Sequence, residues 1–241
     1  DILSYMSKDP YFRSGAHNQI TFSMTYAFSE NYILPLSHDE VVHGKRSLIN
    51  KMPGSYEQKF ANLRAFLGYQ MAHPGKKLLF MGSEFAQFIE WNYEQGLDWL
   101  LLDYEYHKRF HDCVRDLNRF YLAHAALWEI DDSWEGFTWL IPDDNEQNIL
   151  AFTRQDAKGH RLLCVFNFSP VKRENYRIGL PQAARLKCLF STDDVKYGGE
   201  GVLQKATKTE EVPSHGFAQS AVITIAPMSA AFFDLKQPKK R

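Results

Sequence analysis

Hydrophobic positions follow one rhythm up to about residue 125 and another after it. Tyr32-Ile33-Leu34-Pro35-Leu36 is a short apolar run ending at Ser37-His38-Asp39-Glu40, and it reads as a buried strand. Pro53-Gly54 breaks the chain, and Ser55 with Gln58 three residues on is the signature of a capping box. Phe60, Leu63, Leu67 and Met71 then recur at spacings of three and four, which predicts a helix with one apolar face. His73-Pro74-Gly75 stops that helix, and Lys77 to Gly82 is a second brief apolar run, another buried strand. An aromatic-rich loop from Ser83 to Asp103 leads into a second amphipathic helix, with Phe110, Cys113, Val114, Leu117 and Tyr121 on one side. The aromatic-rich stretch Thr21 to Glu30 is ambiguous and is expected to be helical.

Strand, loop, helix, strand, loop, helix is the grammar of a parallel sheet with helices packed outside it. Runs that are apolar without alternation imply strands covered on both faces. An eight-fold α/β barrel needs roughly 250 residues, so this part is either a small open sheet or the tail of a barrel. After residue 125 the candidates are strands: Phe137 to Ile141, Asn148 to Arg154, Arg161 to Phe168, Tyr176 to Leu180, Arg185 to Phe190, Gln219 to Ala226 and Ala230 to Leu235. Asp143-Asp144-Asn145, Lys158-Gly159 and Gly198-Gly199 separate several of them, and the spacing predicts an antiparallel sandwich. The expected division is residues 1–125, α/β, and residues 126–241, all-β. Lys236 to Arg241 is a basic tail, read as a solvated end.

Composition narrows the classes. With 44% hydrophobic, 15% aromatic and 24% charged residues among 241, the chain is globular, which excludes disorder and a disulfide-stapled miniprotein. Lys and Arg number 28 against 29 Asp and Glu, a net charge of −1, so the electrostatic footprint of a nucleic-acid or anionic-membrane binder is missing. Cys113, Cys164 and Cys188 are scattered and odd in number, which reads as reduced thiols in a cytosolic protein and sets a cytoplasmic expectation. The uncharged stretch Gly216 to Phe233 alternates with period two and is broken by Pro227, describing two strands and a turn rather than a membrane helix.

The densest titratable cluster is Ser37-His38-Asp39-Glu40-Val41-Val42-His43-Gly44-Lys45, at a strand's carboxyl end, where parallel α/β sheets hold their sites. Polar loop residues that satisfy a turn are the plain alternative. A zinc-protease reading fails, because His38 and His43 are five positions apart, which on a helix turns them about 140° from each other. No cofactor and no metal are expected. Glycosidic chemistry fits better, since an oxocarbenium-like state calls for a nearby anion such as Asp39, with His38 able to donate to a sugar hydroxyl. Phe85, Phe88, Trp91, Tyr93 and Trp99 offer stacking faces for sugars, although packing is the ordinary role for most such rings. The chain has no G-x-S-x-G elbow, which sets aside a small α/β hydrolase.

These residues carry a resemblance. Leu34-Pro35-Leu36-Ser37-His38-Asp39-Glu40-Val41-Val42-His43-Gly44-Lys45, then Met52-Pro53-Gly54 and Lys59-Phe60-Ala61-Asn62-Leu63-Arg64, resemble the bacterial 1,4-α-glucan (glycogen) branching enzymes of the α-amylase superfamily. Pro74 to Gln87, Leu97-Asp98-Trp99, Val114 to Asn118 and Ser214-His215-Gly216 extend the likeness. It implies the C-terminal part of a (β/α)8 barrel, strands seven and eight, followed by an all-β sandwich. It also implies that Asp39 is the family's third carboxylate, the transition-state stabiliser. Substrate contacts are expected at His38, Glu40, Lys45 and Trp91, and the partner would be an α-1,4-glucan such as glycogen or amylose. The family's nucleophile and general acid match neither Glu40 nor Glu84 and would lie upstream of Asp1, so the chain reads as an excised or processed portion, inactive alone. A free barrel edge would favour self-association. The rival reading is a non-catalytic module whose sandwich binds α-glucan or supports the barrel.

Overall fold

The computed structural model describes residues 1–202 and 206–236, so residues 237–241 of the basic tail lie outside the described residues. The first half holds two parallel strands and two long helices: β1 (Ile33–Leu36), α1 (Tyr56–Ala72), β2 (Lys76–Leu79) and α2 (Glu105–Ala123). β1 and β2 pair in parallel from Ile33 opposite Lys76 to Leu36 opposite Leu79. The capping box that opens α1 is present in both directions, with the Gln58 amide donating to Ser55 Oγ at 3.3 Å and the Ser55 amide to Gln58 Oε1 at 2.9 Å.

Two expectations are corrected here. The stretch Thr21 to Glu30 is not a helix: Asn18–Thr21 makes one turn, Phe22–Thr25 a 3-10 turn, and the chain then loops. Thr25 and Ser29 hydroxyls donate to the carbonyls of Phe22 and Tyr26, taking acceptors a longer helix would have used. The strands are also not covered on both faces, because Ile33 is 58% exposed and Leu78 38% exposed. The α1 side is served by Gln70, whose amide donates to the Leu34 and Leu78 carbonyls at 3.2 and 3.3 Å.

α1 itself is more central than its one-faced pattern suggests. It packs against α2 on one side and the second half on the other, burying Asn62, Arg64 and Gln70 along with its apolar positions. α2 buries Phe110, Cys113, Val114 and Leu117 as the periodicity predicts, with Phe120 rather than Tyr121 completing the face.

The second half contains all seven expected strands with small shifts of boundary, plus a two-residue strand that the pattern did not signal. They are β3 (Phe137–Asp144), β4 (Ile149–Gln155), β5 (Arg161–Asn167), β6 (Arg173–Leu180), β7 (Arg185–Ser191), β8 (Thr207–Lys208), β9 (Gln219–Ile225) and β10 (Ser229–Lys236). An antiparallel six-stranded sheet runs β3-β4-β5-β10-β7-β8, and β6 pairs with β9 in a second sheet. Leu163, Val165, Ala231 and Phe233 face Ile178, Leu180, Ala221 and Ile223 across the sandwich core. The opposite face of the large sheet, Phe152, Cys164, Phe166 and Phe232, joins the core formed with α1. The central strands are therefore buried on both faces. Gly216 to Phe233 resolves into a turn, β9 and most of β10, and no helix among the described residues is long and apolar enough to cross a membrane.

Two buried arginines tie the halves together through carbonyl oxygens. Arg13 donates to the carbonyls of Met6, Lys8 and Phe168 at 2.9, 3.2 and 2.6 Å and to Asn62 Oδ1 at 3.0 Å. Arg154, on β4, donates to the Ala72 carbonyl that ends α1 at 2.7 Å, to Gly136 and Ile130 carbonyls at 3.1 Å, and to Asp131 at 2.6 Å. Glycine at 68 allows the close approach of α1 to β10, since a Cβ there would run into the Ala230 side chain.

Candidate functional site

β1 delivers the chain directly into the titratable cluster. Leu36 is its last, buried residue, and Ser37 caps a 3-10 turn over His38–Glu40. The Ser37 amide and hydroxyl both donate to Glu40 Oε2, at 3.2 and 3.0 Å, and the Asp39 amide donates back to Ser37 Oγ at 3.2 Å. This second capping box holds the turn that presents His38 and Asp39. The signature that revealed it at Ser55–Gln58 is also legible at Ser37–Glu40. Glu40 thus serves the turn through one carboxylate oxygen.

His38 and Asp39 are both exposed, with His38 Nε2 3.5 Å from Asp39 Oδ1. The imidazole has aromatic company: Phe80, just past β2, lies 5.9 Å away and Trp91 lies 6.1 Å away, edge-on, while Phe80 and Trp91 meet edge to face at 5.1 Å. The carboxyl ends of both parallel strands therefore converge on one surface of His38, Asp39, Phe80 and Trp91. Sequence reasoning missed Phe80 because it continues an apolar run. With the His38 and Asp39 side chains exposed, the cluster stands as an open wall.

The loop after the turn is fixed by the segment Phe88 to Trp91. Glu90 accepts the Gly44 amide at 2.9 Å and the Arg46 amide at 2.5 Å, and its carboxyl is held below the usual range by those two donors, Arg46 first. His43 Nδ1 stands 3.8 Å from the same carboxylate. Trp91 donates its amide to the Val41 carbonyl at 2.8 Å, and Ser47 and Asn50 donate to the Phe88 carbonyl at 2.8 and 2.7 Å. Lys51 Nζ reaches the Lys45 and Arg46 carbonyls, and burial lowers its pKa. The Lys45 side chain is exposed on this loop.

The other aromatic-loop rings divide as packing predicts. Phe85 is buried and Phe88 packs 4.9 Å from the His107 ring, whereas Tyr93 and Trp99 face solvent. Among the described residues there is no group of three or more side chains suited to hold a metal ion.

Comparisons with known proteins agree with this architecture. Residues 139–236 match the family described as the alpha amylase C-terminal all-beta domain. The chain is 53% identical over 235 residues to 1,4-alpha-glucan branching enzyme GlgB of Halothermothrix orenii, covering 97% of this chain and 37% of that protein. It therefore spans little more than a third of the length of the curated relative it matches. Among solved structures, the debranching enzyme of Nostoc punctiforme superposes with a TM-score of 0.56 at 13% identity, covering 84% of this chain and 35% of that one. AmyP in complex with maltotriose gives 0.54 at 16% identity, covering 78% and 37%, and both likenesses speak for the fold alone. The resemblance carried by the motif through Asp39 is borne out: the chain is similar over nearly its whole length to part of a glucan branching enzyme, and residues 139–236 match the alpha amylase C-terminal all-beta domain.

Proposed function

We propose that the chain supplies one wall of the active site of a 1,4-α-glucan branching enzyme, with β1 and β2 as the seventh and eighth strands of its (β/α)8 barrel. The observation that carries this reading is the convergence of His38, Asp39 and Trp91 at the carboxyl ends of two parallel strands joined through α1, in a chain 53% identical to GlgB. Residues 1–125 would then be barrel and residues 126–241 the trailing sandwich, whose packing on α1 favours a supporting role for it.

The chemistry follows from the charge that develops. A carboxylate nucleophile bonds to C1 as the α-1,4 bond breaks and an acid passes its proton to the departing O4; a 6-hydroxyl then returns a proton to that now deprotonated acid as its oxygen takes C1 from the ester and frees the carboxylate. In this reading both of those groups come from elsewhere in the parent protein, so the isolated chain is inactive. Asp39 binds the hydroxyls of the glucose at the cleavage point and favours its flattened, positively charged form. His38 hydrogen-bonds the same sugar, Trp91 offers a ring edge or face, Lys45 reaches the glucan from the loop, and Glu40 acts by holding the turn. The partner is an α-1,4-glucan. Among the described residues β1 pairs on one edge only, and its other edge, with exposed Ile33, would draw a second copy of the isolated chain. Buried thiols at Cys113 and Cys164, pushed up to about 12 by burial, suit a reducing cytoplasm.

Asp39→Asn in the parent protein tests the assignment. Branching of amylose, followed by the iodine-complex spectrum, is expected to fall by at least about 100-fold with the unfolding midpoint unchanged. Turnover close to that of the unaltered protein would overturn it.

A further inference from the structure

The acid at position 90 has no part in the chemistry just described, yet its carboxylate accepts two backbone amides of a separate loop. The chain between Val42 and Ser47 turns through left-handed residues at Gly44 (φ 82) and Arg46 (φ 64). For arginine that conformation is costly and persists only where the surroundings enforce it. The enforcement is visible: the Gly44 and Arg46 amides converge on the two oxygens of Glu90, and Lys51 takes up the carbonyls of Lys45 and Arg46. Two amides of one turn, either side of Lys45 whose own amide donates to the Val42 carbonyl, thus share a single carboxylate supplied by the protein itself. The next residue along from that anion is Trp91, whose amide is fastened to Val41.

We infer that Glu90 is a positioning residue for glucan binding: its carboxylate locks the loop carrying Lys45 to the segment carrying Trp91, and so sets that ring beside His38. The inference rests on the function proposed above and concerns how the wall is held, not which group reacts. Its consequence is a separation of effects. Asp39 acts on the charge that develops in the transition state, so its loss falls on kcat. Glu90 acts on the shape of the surface that receives the chain, so its loss falls on KM.

The test uses Glu90→Ala and Glu90→Gln in the parent protein. E90A is expected to raise the KM for amylose by on the order of tenfold with kcat within about twofold. E90Q keeps an acceptor oxygen for one of the two amides and is expected to recover part of that loss. An unchanged KM, or a fall in kcat alone, would overturn the positioning role. Hydrogen exchange at the Gly44 and Arg46 amides reads the staple independently of activity. Faster exchange confined to this loop in E90A supports it, and unchanged exchange sinks it even if E90A proves unstable. Should the unaltered parent fail to branch amylose, the functional reading falls by itself, while the exchange result still decides whether Glu90 holds the loop.

Discussion

β5 and β1 are both short apolar strands, and they meet opposite fates. β5 runs Leu162 to Asn167 without an exposed residue, covered by β6 and β9 on one side and α1 on the other. β1 buries only Leu36 of its four residues and turns Ile33 to solvent. Apolar composition records what surroundings a strand is suited to; burial records what the described residues supply. The second half closes its own core, whereas the sheet of the first half is finished on the α1 side only. That contrast places the exposed candidate site on the less completed half, braced by the more completed one.

The brace is the point at which this comparison is most easily broken. Arg154 places an entire guanidinium in the interior, and four acceptors, the Ala72, Gly136 and Ile130 carbonyls and Asp131, lose that donor when it goes. Arg154→Ala is expected to cost about 3–5 kcal/mol, read from urea unfolding. Lys76, which meets the same Asp131 from an exposed position at 3.0 Å, should cost under about 1 kcal/mol on the same substitution. Equal effects would mean that the sandwich does not hold the end of α1. A smaller change probes the same seam: Gly68→Ala pushes a methyl against Ala230 and should cost about 1–3 kcal/mol. Adding Ala230→Gly should recover part of that loss, and no recovery would place the strain elsewhere.

The two halves were also unequally legible. The strands of the sandwich announce themselves because each run is bounded by turn residues such as Asp143-Asp144-Asn145 or Lys158-Gly159, and local chemistry decides where they stop. α1 was legible as a helix but not as a central one. Asn62, Arg64 and Gln70 look like a solvated face, yet they satisfy Arg13, the Thr192 carbonyl and the β-strand carbonyls in the interior. Those partners are far away in sequence, and no local pattern marks them. The site divides in the same way. His38 and Asp39 could be read from their place at a strand's end, while Glu90 could not, because what it binds is a pair of backbone amides in a different loop.

The smallest expected effects fall on two copies of one device. Ser55 and Ser37 both cap a helical turn and both have a side-chain acceptor three residues on. The first opens the 17-residue α1, which contributes many residues to the core shared by the two halves; the second opens a three-residue turn at the open wall. Ser55→Ala removes an acceptor for the Gln58 amide at the head of a cooperative element and should lower global stability by about 1 kcal/mol. Ser37→Ala removes the acceptor for the Asp39 amide and one donor to Glu40, but the turn holds little of the core, so the unfolding midpoint should shift by only a few tenths of a kcal/mol. Its cost should instead be local: faster exchange of the Asp39 amide and weaker turnover of amylose by the parent protein. If Ser37→Ala proves the more destabilising of the two, the open wall is part of the cooperative core after all, and the division between a completed half and a presented surface fails.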